Sequence, residues 1–191
     1  MKRSILLLAA VVLAASAVTA QTSTWIPDKA HSEVNFTVLH LSLTNVHGHF
    51  NLGDGAITMD DGDIAKSSVK MSIDVSSVDS GESGRDSALK GSSFFNIEQY
   101  PTATFVSTSV AKVAGGLTVN GNLTVKGITK PVTLNVQGPT GPVKGVDGKQ
   151  HAGWAATTTL NRNDFQLGSS YPAVTIGNDV KLEIDMEVIK Q

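Results

Sequence analysis

The chain has 191 residues, with 15 Lys and Arg against 17 Asp and Glu and no cysteine. Its basic residues are scattered, so it offers no cationic footprint for nucleic acid or an anionic membrane. The missing cysteines exclude disulfides, thiol nucleophiles and dithiol redox chemistry.

Lys2-Arg3 precede an uncharged apolar run from Ile5 to about Val18, which ends Val18-Thr19-Ala20. A charged start, a short apolar stretch and small residues at its end define a secretory signal, cleaved before Gln21. The run is too short for a membrane span and nothing later reaches spanning length, so no stable membrane insertion is expected. Removing residues 1–20 leaves 13 basic residues against 17 acidic. The product, residues 21–191, is one domain by length. An exported chain of this kind is expected in the periplasm or outside the cell.

Trp25-Ile26-Pro27-Asp28 opens the domain, and His31-Ser32 leads into a strand with Val34, Phe36, Val38 and then His40 on one face. Val46, Gly48 and Phe50 continue the period-two rhythm, with His47 and His49 on the opposite side. Gly53, Gly55 and Asp60-Asp61-Gly62-Asp63 predict turns. Val69, Met71, Ile73 and Val75 alternate with Lys70, Ser72, Asp74 and Ser76. The rhythm then breaks. Ser83-x-x-Asp86 resembles a capping box, Gly91 supplies a stop, and together they predict a helix of about two turns. Ser93 to Ile97 suits a second helical turn, ended at Tyr100-Pro101.

Strands resume at Ala103-Thr104-Phe105-Val106, and Gly115-Gly116 leads into Leu117 to Gln137, the clearest pattern in the chain. Leu117, Val119, Leu123 and Val125 alternate with polar residues, Gly127-Ile128-Thr129-Lys130 turns, and Val132, Leu134 and Val136 alternate again. Asn120-Gly121 would normally mark a hairpin turn, but the apolar phase runs through it. Gly121 therefore sits on the apolar face of one long strand, where it leaves room for a bulge, a bend or a close neighbour. Gly138 to Gly148, with two prolines and four glycines, reads as a loop. Trp154 to Leu160 reads as a strand, Asn161 to Pro172 as irregular, and Val180, Leu182, Ile184, Met186 and Val188 as the closing strand.

About eight strands, each with one apolar face, and almost no helix predict an all-β sheet closed on itself, with a two-sheet sandwich as the alternative. Long unbroken alternation and a helical insert able to plug one end favour the barrel. An eight-stranded barrel holds side chains or one small ligand. Small residues on strand faces (Gly48, Gly121, Ala156, Thr158) point to a hollow interior.

Trp25-x-x-Asp28-x-x-His31-Ser32-x-Val34-x-Phe36 resembles the opening of the YceI-like family, and further matches follow in order. They are Val46-x-Gly48-x-Phe50, Ser77-Val78-Asp79-Ser80-Gly81, Arg85-Asp86 and Phe94-Phe95-Asn96-x-x-x-Tyr100-Pro101. Then come Phe105-x-Ser107, Gly121-x-Leu123-Thr124-x-x-Gly127-x-Thr129-Lys130-Pro131-Val132 and Asn161-Arg162-x-Asp164-Phe165. The resemblance implies an extended, lipocalin-like antiparallel β-barrel, exported, that binds an isoprenoid-type or other long-chain lipid. A homodimer is compatible with it. The family usually has Gly after the last motif, where this chain has Gln166; near a pocket mouth, that side chain would narrow the entrance or supply a polar contact.

The ligand-lining set expected on this basis is Phe36, Val38, His40, Phe50, Met71, Ile73, Phe94, Phe105, Leu117, Val119, Leu123, Leu134, Trp154, Phe165 and Ile184. Core and pocket lining share one face in a barrel, so the same set also describes a filled interior. The bound amphiphile would be the sole non-protein group, with neither cofactor nor catalysis. Gly81-Glu82-Ser83-Gly84 lacks the spacing of a nucleophile elbow. His47-x-His49 forms half of a zinc-type pattern, with His31 or His40 as completion, but spacing names no full ligand set and the plain reading is two exposed polar residues. His40 is read as a core histidine or a headgroup contact. Asp28 and His31 are read as a hydrogen bond pinning the N-terminal segment.

Overall fold

The computed structural model describes residues 21–191; the expected signal lies outside them. The strands are β1 (Thr22–His40), β2 (Thr44–Asp60), β3 (Ser68–Asp79), β4 (Thr102–Val113), β5 (Gly116–Val125), β6 (Ile128–Lys144), β7 (Gln150–Asn161) and β8 (Ile176–Lys190). One α-helix, α1 (Ser83–Lys90), interrupts them between β3 and β4. Each strand pairs antiparallel with the next, and β8 pairs with β1 to close the ring. Closure removes the unpaired edges that a flat sheet of these strands would expose.

Alternation in the sequence becomes inside and outside of the wall. In the β5–β6 hairpin, Val119 faces Leu134 and Leu117 faces Val136 across the ladder, and Val119 is almost wholly buried. The hairpin turns at Lys126-Gly127, with φ of 51° and 73°, so Val125 already pairs with Ile128. This two-residue turn matches the right-handed twist of the strands. It displaces the expected four-residue turn at Gly127 to Lys130, whose last three residues belong to the ladder.

Other strands also outrun their punctuation. β1 starts at Thr22 and passes Pro27-Asp28 by looping out residues 28–31, with register shifts against both neighbours. β2 absorbs Gly53-Asp54-Gly55 as an irregularity between Leu52 and Gly55 instead of turning there. β6 runs on through Pro139 and Pro142 to Lys144. The β5 ladder ends at Val136, so those prolines face no β5 partner that would need their missing N–H.

The helix exists where expected but is capped differently. Glu82 is its N-cap, accepting from the backbone N–H groups of Gly84 and Arg85, while the Asp86 carboxylate accepts from the backbone and hydroxyl of Ser80. Residues 92–99 follow as hydrogen-bonded turns and not as a second helix.

The small residues were expected to leave space, and two of them do not. Gly48 stands opposite Phe36, and a Cβ on it would lie 2.4 Å from that ring. On Gly121 a Cβ would lie 2.3 Å from the ring of Phe105. The glycines are seats for aromatic rings from the neighbouring strand. Ala156 and Thr158, by contrast, do border open space.

Candidate functional site: the barrel lumen

Inside the ring lie two chambers with apolar walls, of about 150 Å³ and about 120 Å³. Val34, Ile73, Leu123 and Leu182 border both and form the waist between them. The first chamber lies toward the end that carries α1 and the β7–β8 connection. Phe36, Val38, Phe50, Ile73, Phe94, Leu123 and Phe165 line it. The second holds Met71, Ile73, Phe105, Leu117, Val119, Leu123, Leu134, Trp154 and Ile184 from the same set. Trp154 meets Trp25 edge to face at 6.1 Å near the far end.

His40 belongs to neither chamber. It is exposed, and its carbonyl accepts from Leu43 N–H to close a turn through Leu41 and Ser42, both at positive φ. The register against β8 shifts between Val38 and His40, so the inward phase ends at Val38. Among the described residues, His47 and His49 gather no third ligand; His47 Nδ1 lies 3.0 Å from Thr37 Oγ1 on the outer wall. Asp28 and His31 do meet as expected, with Asp28 Oδ2 3.1 Å from His31 Nδ1.

Two segments close the end of the first chamber as a lid, residues 89–97 and 165–171, and in them only Phe94 and Phe165 were expected to face it. Phe95 sits edge to face on Phe50 at 5.4 Å, and Phe50 in turn packs on Phe36 at 5.4 Å. Phe94 stacks on Tyr171 at 5.7 Å, over Gly168. Lys126 Nζ donates to the carbonyls of Ser92 (2.9 Å) and Gln166 (3.1 Å), tying the β5–β6 turn to both lid segments. Gly168 N–H donates to Ser93 O at 2.8 Å, so the two segments close on each other.

Arg162 is 3% exposed and faces no carboxylate. Its guanidinium donates to the carbonyls of Gly177, Leu167, Gly168, Tyr171 and Ile176 and to Asn178 Oδ1, at 2.6–3.2 Å. All five of its N–H groups are spent on the β7–β8 connection and the first residues of β8. Burial pushes its pKa down, yet an arginine keeps its charge. Only the Asn161-Arg162 motif marked this residue in the sequence. Gln166, in turn, is exposed and left-handed at φ 54°, so it neither narrows the chamber nor touches its contents. The family glycine at this position is a backbone requirement.

Among the described residues, no buried side-chain nitrogen or oxygen lacks a partner. A guest in the lumen therefore meets hydrocarbon and aromatic surface, with no unpaired donor to select a headgroup. The molecule is thus an eight-stranded antiparallel barrel around an apolar lumen, capped at one end by a helix and a pinned loop. The sequence profile of the YceI-like domain matches residues 25–188, and the chain belongs to that family.

Its curated relatives include a UPF0312 protein of Yersinia pestis, 39% identical over 137 residues, covering 72% of this chain and 71% of that one. A UPF0312 protein of Vibrio cholerae is 40% identical over 139 residues, covering 72% and 73%. The YceI protein of Campylobacter jejuni superimposes with a TM-score of 0.70 at 28% identity, covering 80% of this chain and 89% of that one. A polyisoprenoid-binding domain from Saccharophagus degradans shares the fold, with a TM-score of 0.63 at 17% identity over 87% and 98% of the two chains.

Proposed function

We propose that this chain is an exported binding protein that holds an isoprenoid-type or other long-chain amphiphile in its lumen, for carriage, storage or protection under stress. The observation that carries the reading is the apolar lumen, two chambers sharing part of their walls, in which every buried polar side chain among the described residues is already paired. The polyisoprenoid-binding domain of the same fold supports it. So does the sequence of residues 1–20, which would direct the chain to the periplasm.

Affinity would come from burial, at about 0.8 kcal/mol per CH₂. Each chamber matches the roughly 150 Å³ space that holds a benzene-sized group. One or two isoprene-sized groups fit the closed form, and a longer chain enters as Phe94 and Phe95 swing away from Tyr171 and Phe50.

A second reading has its own observation. The rings seated on Gly48 and Gly121 fill space that a carrier would leave open, which favours a filled barrel acting as a structural module. Native mass spectrometry of protein from its own host, followed by organic extraction, separates the two. A stoichiometric polyisoprenoid or fatty adduct, lost on Leu123→Arg in a folded variant, establishes the carrier. A bare mass, with no uptake of polyprenols or fatty acids by the delipidated chain, leaves the filled barrel.

A further inference from the structure

Residues 28–31 loop out of β1 against a single residue of β8. Pro27 pairs with Val188 and Ser32 with Met186, so four residues stand opposite Glu187 alone. The loop is pinned at both ends. Asp28 Oδ1 accepts from Ala30 N–H at 3.0 Å, and the Ser32 hydroxyl donates to Glu187 O at 3.0 Å and accepts from Glu187 N–H at 3.1 Å. Val188 is fully buried, so Glu187, its neighbour in the strand, points out of the barrel toward the loop.

One ligand-type atom each from Asp28, His31 and Glu187 falls in a cluster in which all lie within 4.8 Å of one another. β7 adds His151, two residues from Gly153, which pairs with Glu187. His151 Nδ1 is 2.6 Å from Glu187 Oε1, and its Nε2 is 3.0 Å from Asp147 Oδ1. These groups border an outer-wall recess of about 560 Å³, separate from the lumen.

We propose that Asp28, His31 and Glu187 form a binding site for a divalent transition ion of the zinc class, with His151 and Asp147 as the outer partners that hold Glu187. Imidazole with carboxylates is a donor set that zinc accepts and that calcium, an oxygen-seeking ion, does not favour. Around a tetrahedral ion with bonds of about 2.0–2.1 Å, neighbouring ligand atoms stand roughly 3.3 Å apart. The Asp28–His31 separation of 3.1 Å is already of that size. A carboxylate–histidine pair behind a ligand is the usual device for fixing its orientation. Charge supports the assignment as well. Three carboxylates converge on two imidazoles, while Lys29, the base within the loop, is turned away to Asp54 at 2.6 Å. Three protein ligands leave a position for water or an outside donor.

The test is zinc titration of the purified, tag-free protein by isothermal calorimetry, with calcium in parallel. One saturable zinc equivalent is expected in the wild type, and none of calcium. His31→Ala and Glu187→Gln each weaken it by roughly 100-fold and His151→Ala by about 10–100-fold, while His47→Ala changes nothing. Cobalt as a probe gives a visible absorption band that His31→Ala abolishes, and thermal unfolding checks that each variant is folded. His31 is exposed, so its removal leaves the barrel intact. The proposal is overturned if the wild type takes up no saturable zinc, or if the folded His31→Ala and Glu187→Gln variants bind it as the wild type does.

Discussion

Replacing Arg162 with Met keeps most of its volume and deletes the donors that hold the β7–β8 connection. Five backbone carbonyls, those of Leu167, Gly168, Tyr171, Ile176 and Gly177, lose their partner. At about 1.5 kcal/mol net for each bond to a charged donor, the loss is roughly 7 kcal/mol. Water that reaches the freed carbonyls recovers much of this, so the net cost is about 3 kcal/mol, the size usual for breaking a buried charged contact. If the carbonyls stayed buried and unpaired, the penalty would rival the stability of a whole domain, so the connection opens to water instead. For a domain of this size the expected fall in Tm is about 6–12 °C. Urea denaturation measures the free energy, and amide hydrogen exchange locates it at residues 167–177. Arg162→Lys, with three donors for the same acceptors, falls between wild type and Met. A Met variant within about 0.5 kcal/mol of wild type, the range of an ordinary surface change, with unaltered exchange in that segment, refutes the account.

Three further outcomes are expected. Gly121→Ala drives a Cβ into the Phe105 ring and lies only 2.7 Å from Val106 O, so it destabilises by about 1–3 kcal/mol; a thermal double-mutant cycle with Phe105→Leu should recover part of the loss, and full additivity would show that the ring is not the cause. The Ser80 hydroxyl, bonded to the Asp86 carboxylate, holds its pKa below the ordinary aspartate value. A carboxylate with a lowered folded pKa contributes stability above its unfolded value, about 4, and loses it as pH falls through the folded value. Asp86→Asn should therefore lower Tm at pH 6 and converge with wild type once pH has fallen through the lowered folded value, whereas a gap that persists at the acid end of the titration would remove Asp86 from the linkage. Gln166→Gly relieves a left-handed non-glycine residue and, after the entropy cost of glycine, should change stability by between zero and about +1 kcal/mol; a loss of that size by urea denaturation would contradict the backbone explanation.

The architecture was legible because period-two alternation is a property of single strands, and eight of them with one greasy face each have few ways to bury it. Leu117 to Val136 shows this: its inward residues can be read without knowing any partner. What could not be read depends on register or on the backbone. Phe105 lies over Gly121 through a pairing between strands, so the space that the glycine suggested was already taken. Arg162 is satisfied almost entirely by carbonyls, which every residue carries and no sequence pattern marks. His40 kept the right phase but outlived the wall, because the register against β8 shifts just before it. Glu82 took the capping role assigned to Ser83 because its carboxylate reaches forward to two N–H groups at once. In the lumen, the lid residues Leu89, Phe95 and Leu167 come from segments without strand periodicity, so only their packing reveals them.

The ring has one seam. Seven ladders join strands adjacent in sequence and can zip as local hairpins, whereas Val34 meets Ile184 across 150 positions of chain. The slowest contact to form is the one with the longest chain between its ends. Until β8 arrives, β1 and β7 each present a free row of N–H and C=O groups, ready to recruit another copy. Shortening the chain from its C-terminal side therefore does more than trim a strand: it turns a closed cylinder into a sheet with two adhesive borders. Gln191 N–H still reaches back to Thr24 O at 2.9 Å, so the seam is sewn past the end of β8. The barrel's safeguard against self-association is thus written in the 15 residues of β8.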